Sequence, residues 1–119
     1  MRRGVATSVR ATEWMLEAPG RLQKTTTALP VPAPGEILVT SVAGAVSPGT
    51  ERVLLHGTCP TAPASAYPRQ PGYLNIVVIR DAADRTLIGE RGVATLGHRD
   101  HALIPYHRFV RIPPGLPDD

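Results

Sequence analysis

Prolines and glycines occur along the whole chain, and their spacing constrains the fold more than any other feature. The 119 residues include 13 prolines and 11 glycines, which separate apolar segments instead of forming one linker. Proline lacks the backbone N–H that a helix interior needs, and glycine loses more conformational freedom on folding than other residues. Long helices are therefore unfavourable over most of the sequence. The pattern predicts a chiefly β domain made of short strands and frequent turns.

Size and composition limit the classes of protein to which the chain can belong. A chain of this length forms one domain with a modest core, and no apolar run is long enough to span a membrane. The basic start is not followed by an apolar signal segment, so we expect a cytoplasmic protein. A single cysteine excludes an intramolecular disulfide and a multi-cysteine zinc site. Scattered charges summing to +3, with few aromatic residues, argue against nucleic-acid binding.

Four segments have the composition of β structure. The stretch "TEWMLEAPGRLQKTTTAL" predicts a hairpin that turns at residues 18–20, and "EILVTSVAGAV" predicts a long strand. The stretch "LNIVVIRD" predicts a buried strand, and "RGVATLGHRDHALIPYHRFVRIP" predicts two strands joined at "GHRD". We expect residues 1–11 to be a basic lead-in and residues 12–119 to form the domain.

One segment, "VSPGTERVLLHG", predicts a short helix within this β pattern. Ser47 can cap it, Pro48 suits its first turn, and Glu51 lies near its positive end. Thr50 and Ser47 place hydroxyl groups beside Glu51, which suits a general base in a binding site. The alternative is a capped first turn with no further role. His56 at the end of the helix is either a substrate-binding residue or a partner of the helix dipole.

The segment "GHRDHALIPYH" carries the residues most typical of acid–base chemistry. His98 and Asp100 can form a histidine–carboxylate pair, because a carboxylate orients an imidazole and tunes its pKa. On a strand these two residues would face one side, with Arg99 and His101 on the other. The alternative is a solvated connection between strands, and a metal site would need a further ligand.

Three other residues are assigned from their surroundings in the sequence. Cys59 lies in a proline-rich loop over residues 58–72, with nothing beside it that would lower the pKa of its thiol. It is therefore predicted to be an inert thiol. Trp14 and Tyr106 are predicted to be core residues.

Taken in order, these segments resemble the N-terminal, GroES-like catalytic domain of medium-chain dehydrogenases/reductases. "APGRLQKTTTALPVPAPGEILVTSVAGAVSPGTE" is similar to that domain's opening hairpin, proline connector and long strand. "YPRQPGY", "LIGERGVATLG" and "HALIPYHRFVRIPPGLP" resemble its later turn, hairpin and closing strands. The resemblance covers roughly residues 12–117. It implies a mainly β fold, a partly open barrel with one or two short helices.

The resemblance also implies where a site would be. In the family, the segment that matches Ser47–Glu51 lines the cleft in which substrate meets nicotinamide, and zinc-dependent members keep ligands in and near it. The matching positions here carry Pro48 and Tyr73-Leu74, and proline and leucine cannot bind zinc. The chain is closer to the zinc-free, quinone-reductase-like branch. Tyr73 either points into the cleft as a substrate-binding residue or fills with its ring the space that a zinc ligand occupies. No G-x-G-x-x-G turn follows a strand, so we expect no dinucleotide cofactor on this chain.

Three functions fit this combination. The first is a stand-alone domain that binds a small metabolite in the ancestral cleft and catalyses a cofactor-independent cyclisation, isomerisation or dehydration in secondary metabolism. The second is a subunit of a split NAD(P)-dependent oxidoreductase. The third is a non-catalytic binding or scaffold module. In the family, a partner domain covers part of this domain's surface, and in this chain alone that surface would be exposed. Exposed strand edges and apolar patches are usually covered, so we expect a homo-oligomer or docking to another subunit.

Overall fold

A computed structural model describes residues 9–45, 48–58, 67–72 and 74–117. These residues form seven strands, one α-helix and two short 3-10 turns at Arg85–Leu87 and Tyr106–Arg108. In chain order the elements are β1 (Val9–Ala18), β2 (Arg21–Leu29), β3 (Glu36–Ala45), α1 (Pro48–His56), β4 (Leu74–Ala82), β5 (Arg91–Ala94), β6 (His101–Pro105) and β7 (Val110–Arg111). The predicted mainly β architecture is confirmed. β1 starts at Val9, three residues before the predicted start of the domain.

The strands form two antiparallel sheets. β1 and β2 make a two-stranded hairpin, and the other five strands lie in the order β6-β3-β4-β5-β7. Val39 of β3 is opposite Ile79 of β4 and Ala102 of β6, so the centre of the larger sheet is well paired on both sides. Pairing between β3 and β6 ends at Thr40, and the outer edge of β3 beyond this point faces β1 and the connection before β6.

The core lies on one face of the larger sheet. Alternate residues of a strand share a face, and Ile37, Val39, Val77 and Ile79 are fully buried on that face. Residues that follow in the chain complete the cluster: Ala82, Ala94, Leu96, Ala102, Ile104 and Phe109. None of the helices in the described segments is long and apolar enough to cross a membrane.

Among the described residues, β1 and the turn that follows it attach the hairpin to the rest of the molecule, and Gly20 N–H in this turn donates to the Leu55 carbonyl at 2.6 Å. Backbone hydrogen bonds join Leu16 of β1 to Arg69 in both directions at 2.8 Å, and Trp14 N–H donates to the His98 carbonyl at 2.9 Å. β2 is largely exposed. The assignment of Trp14 and Tyr106 to the core was wrong: 41% of Trp14 and 37% of Tyr106 is exposed. Trp14 lies instead on the face of β1 next to α1, where nothing among the described residues covers it completely.

The predicted helix is present and ends through a glycine. Thr58 N–H donates to the Val53 carbonyl at 2.9 Å and Gly57 N–H to the Leu54 carbonyl at 3.3 Å, which is the Schellman arrangement. Gly57 has a φ of 74°, and a Cβ on it would lie 2.7 Å from Pro19 Cγ. Glycine is therefore needed both for the turn and for the close approach of the helix end to the hairpin.

Candidate ligand-binding cleft

A cleft of about 450 Å³ lies between α1, the hairpin and the connection that precedes β6. Its wall is mostly apolar and consists of Trp14, Leu16, Leu22, Leu55 and Pro71. Two polar side chains, those of Glu51 and His98, complete the lining. A mainly apolar cavity with a few convergent polar groups is typical of a small-molecule site.

His98 is held in the cleft by the backbone on both sides of it. Its N–H donates to the Pro71 carbonyl at 3.0 Å, and its carbonyl accepts from Trp14. The ring lies directly over Gly72, where a Cβ would be 2.8 Å from three of its atoms. Gly72 also has a φ of 88°, so both the backbone and the imidazole require a residue without a side chain here.

Glu51 and His98 form a hydrogen-bonded pair across the cleft. Glu51 is in the first turn of α1, where the helix dipole favours a carboxylate, and its Oε1 is bonded to His98 Nε2. The side chains are 16% and 27% exposed, respectively, so the pair is partly shielded from solvent. When Nε2–H donates to Glu51, the lone pair lies on Nδ1, which is the arrangement of an oriented acid–base histidine.

Asp100 has different partners from those predicted. Its Oδ1 accepts from Thr12 N–H at 2.7 Å and lies 3.1 Å from His101 Nδ1. The predicted alternation is absent because residues 98–100 form a bend before β6 begins at His101. The structure therefore pairs His98 with Glu51 from α1, which is remote in sequence, rather than with Asp100.

The surroundings of Asp100 change its acidity. Burial raises the pKa of Asp100, but the hydrogen bond from Thr12 and the contact with His101 lower it more, so the pKa lies below its usual 3.8. A lowered pKa in the folded state adds stability above the ordinary pKa, and this stability is lost as pH falls through the folded-state pKa.

We therefore expect Asp100→Asn to reduce the acid sensitivity of the fold. Between about pH 5 and about pH 2.5, the urea midpoint should fall less in the variant than in the wild type, because the variant has no carboxylate to protonate here. Asp84→Asn, at an exposed carboxylate outside the cleft whose pKa is also lowered, by the hydrogen bonds from Thr86, is a positive comparison and should change the profile in the same direction. Identical pH profiles for the wild type and Asp100→Asn would contradict the assigned role.

A second set of side chains supports the bend that carries His98. Arg99 donates through a terminal guanidinium nitrogen to Gln70 Oε1, and Gln70 Nε2 donates to Glu13 Oε2 at 2.7 Å. Arg99 Nε lies 3.7 Å from the same Glu13 oxygen. These contacts join β1, the segment over residues 67–72 and the bend. Glu13 and Gln70 were not predicted from the sequence, because neither lies in a recognisable motif.

The other predicted site residues differ in what the structure shows of them. Ser47, Tyr73 and Cys59 lie outside the described residues. Thr50 belongs to α1, and its side chain lies outside the described part of the structure. His56 is exposed at the end of the helix, and its neighbour Leu55 lines the cleft instead. Within the described ranges, no group of three His, Cys, Asp or Glu side chains could hold a metal ion.

The chain is similar to known dehydrogenases and reductases in sequence and in fold. No protein-family model matches the chain. It is 31% identical, over 131 aligned residues, to 2-desacetyl-2-hydroxyethyl bacteriochlorophyllide A dehydrogenase of Cereibacter sphaeroides, and the match covers 91% of this chain and 40% of that protein. A putative NADPH:quinone reductase from Bacillus thuringiensis superposes over 93% of this chain with a TM-score of 0.72 and 18% identity. The chain has the GroES-like fold of medium-chain dehydrogenases/reductases.

Two further structures share this GroES-like fold. An alcohol dehydrogenase from E. coli CFT073, solved with NADH, matches 92% of the chain with a TM-score of 0.70 and 21% identity. A human synaptic vesicle membrane protein VAT-1 homolog-like protein matches 91% of it with a TM-score of 0.64 and 19% identity. The chain spans only 36–40% of the length of these four proteins, over their N-terminal part. The predicted resemblance is confirmed for the fold.

Proposed function

We propose that this GroES-like domain binds a small, largely apolar organic molecule in the cleft, with a hydroxyl group of the ligand against His98. The observation that supports the proposal is the position of the Glu51–His98 pair, the polar group in an otherwise apolar wall. Transfer of the apolar part of a ligand from water into such a site is favourable. The Glu51–His98 pair then determines which polar group of the ligand points inwards.

The same pair is suited to proton transfer. A ligand C–H or O–H proton passes to His98 Nδ1, Glu51 stabilises the resulting imidazolium, and the proton returns to another atom of the ligand. An isomerisation needs only these two proton transfers, and a dehydration or cyclisation adds the departure of water or the closure of a ring. None of them requires a redox cofactor. We therefore propose a cofactor-independent reaction of this type, of the kind common in secondary metabolism.

One comparison favours a second candidate. The bacterial relative at 31% identity is a dehydrogenase, and the chain spans 40% of it. The GroES-like domain would then be the substrate-binding part of an NAD(P)-dependent oxidoreductase whose nicotinamide-binding part is supplied by residues outside this sequence or by another subunit. In that case the Glu51–His98 pair would orient the substrate and exchange its hydroxyl proton, and another polypeptide segment would hold the nicotinamide.

Trp14 provides a direct test, because it is the single tryptophan of the chain and lines the cleft. We expect duroquinone, whose fully substituted ring resists addition of the Cys59 thiol, to quench its fluorescence saturably. His98→Ala should weaken binding several-fold, because it removes the ring of His98 from the wall of the cleft. His107→Ala, at an exposed histidine outside the cleft, should bind as the wild type does.

The outcomes separate the candidates. Linear quenching that is equal in all three proteins would mean that the cleft does not bind this ligand class, which leaves a scaffold role. If a tagged chain copurifies with a nicotinamide-binding polypeptide and NADPH reduces duroquinone only when both are present, the second candidate is correct. If the isolated chain binds the quinone saturably and copurifies with no such polypeptide, the result favours the first.

A further inference from the structure

A second groove of about 390 Å³ lies beside the cleft, between β1 and the open outer edge of β3. Trp14 and His98 line both cavities, so the groove and the cleft meet at these two side chains. The floor of the groove is residues 42–44 of β3, and its walls carry the polar side chains of Thr12, Ser41, Asn75 and Asp100.

Asn75 is the unusual residue in this lining. It is the buried polar residue of the described chain, with 4% exposed. Its Nδ2 donates to Ser41 Oγ at 3.0 Å, whereas its Oδ1 has no hydrogen-bond partner among the described residues. A buried acceptor without a partner is costly and rare in folded proteins. A donor that enters the groove would supply the missing bond after a small rotation of the amide.

The charges around the groove favour a donor that is positively charged. The Asp100 side chain is 47% exposed and is the carboxylate in the lining. Arg99, which also lines the groove, has its guanidinium engaged by Gln70 and Glu13. Ser41 and Thr12 add hydroxyl oxygens. The groove therefore offers several hydrogen-bond acceptors and one carboxylate. Such an environment binds an ammonium group more favourably than a neutral or anionic group.

We propose that the groove is a polar subsite that binds the ammonium group of an apolar amine, whose body occupies the adjoining cleft. The proposal rests on the proposed function, because the body of the ligand uses the same cleft. It adds the chemical class of the ligand: a primary or secondary amine separated from an aromatic or aliphatic body by a short chain that passes between Trp14 and His98.

Three compounds with the same body test the proposal: 4-phenylbutylamine, 4-phenyl-1-butanol and 5-phenylpentanoate. Binding of each to the whole chain is measured by isothermal titration calorimetry at pH 7. We expect the amine to bind at least ten-fold more tightly than the alcohol and the carboxylate. Asp100→Asn should remove this preference and leave the affinity for the alcohol unchanged. Asn75→Leu should reduce it, because it keeps the branched shape of the side chain but removes the carbonyl acceptor.

The possible results distinguish failure of the subsite from failure of the proposed function. Equal affinities for the amine and the alcohol would overturn the subsite but leave the apolar cleft in place. A preference for the amine that persists in Asp100→Asn and Asn75→Leu would also overturn it, because the recognition would then lie elsewhere. If none of the three compounds binds, and duroquinone does not bind, the proposed function fails together with the subsite. If Asn75→Leu does not fold, Asp100→Asn alone decides, since its side chain is half-exposed.

Discussion

Replacing Leu54 by alanine is expected to lower the free energy of unfolding by about 2–4 kcal/mol, because the change leaves a cavity in a small cluster that cannot close around it. Leu54 is buried against Leu16 and Tyr67, and these three side chains form a cluster separate from the main core. The Tyr67 hydroxyl donates to the Leu54 carbonyl. This cluster is the main apolar attachment of α1 to the hairpin, so its loss should also loosen the pair between Glu51 and His98.

The next residue of the helix is a matched control. Leu55 lines the cleft and is exposed to solvent, so Leu55→Ala should change the free energy of unfolding by no more than about 0.5 kcal/mol. It should nevertheless weaken duroquinone binding, because it removes part of the apolar wall. Urea denaturation followed by Trp14 fluorescence measures the stability of both variants. Equal destabilisation by the two substitutions would show that α1 is not anchored through Leu54.

Local sequence patterns were sufficient to predict most of the strands, but the strand predicted after "GHRD" is divided by the turn at Tyr106–Arg108 into β6 and β7. The alternation in "EILVTSV" and the apolar run "NIVVI" place Ile37, Val39, Val77 and Ile79 on one face, and all four are fully buried. The hairpin turn at residues 18–20 follows from its proline and glycine, and Gly20 has the positive φ expected for such a turn. These features depend on neighbours in the sequence, and local patterns describe neighbours well.

The pairing of residues in the cleft could not be predicted from local sequence patterns, because it depends on contacts between residues that are distant in the sequence. Glu51 and His98 were both selected, but His98 was paired with Asp100 because the two are close in sequence. The actual partner is 47 residues away and is brought to His98 by the packing of α1. Trp14 was assigned to the core because tryptophan is usually buried, and the sequence does not show that its face of β1 borders a cleft. Gln70 and Glu13 were missed for the same reason.

Gly92→Ala is expected to lower the free energy of unfolding by about 2–3 kcal/mol, although it adds a single methyl group. Gly92 is in β5, between β4 and β7, and a Cβ there would lie 2.4 Å from Cε2 and Cζ of the Phe109 ring. It would also lie 2.6 Å from the Val110 carbonyl oxygen. Phe109 is buried in the main core and stacks on Tyr106 at 5.9 Å, so the ring cannot move away without disturbing both.

Two further variants separate this steric effect from a general intolerance of alanine. Gly49→Ala adds a methyl group to α1 with no atom within 4 Å, and should be neutral or stabilising by up to about 1 kcal/mol. Phe109→Leu destabilises by itself, but it should make Gly92→Ala less costly, because the smaller side chain leaves room for the Cβ. A double-mutant cycle from urea denaturation therefore gives a favourable coupling between the two positions. Additive effects would mean that Phe109 does not restrict position 92, and that the glycine is required by the backbone of β7 alone.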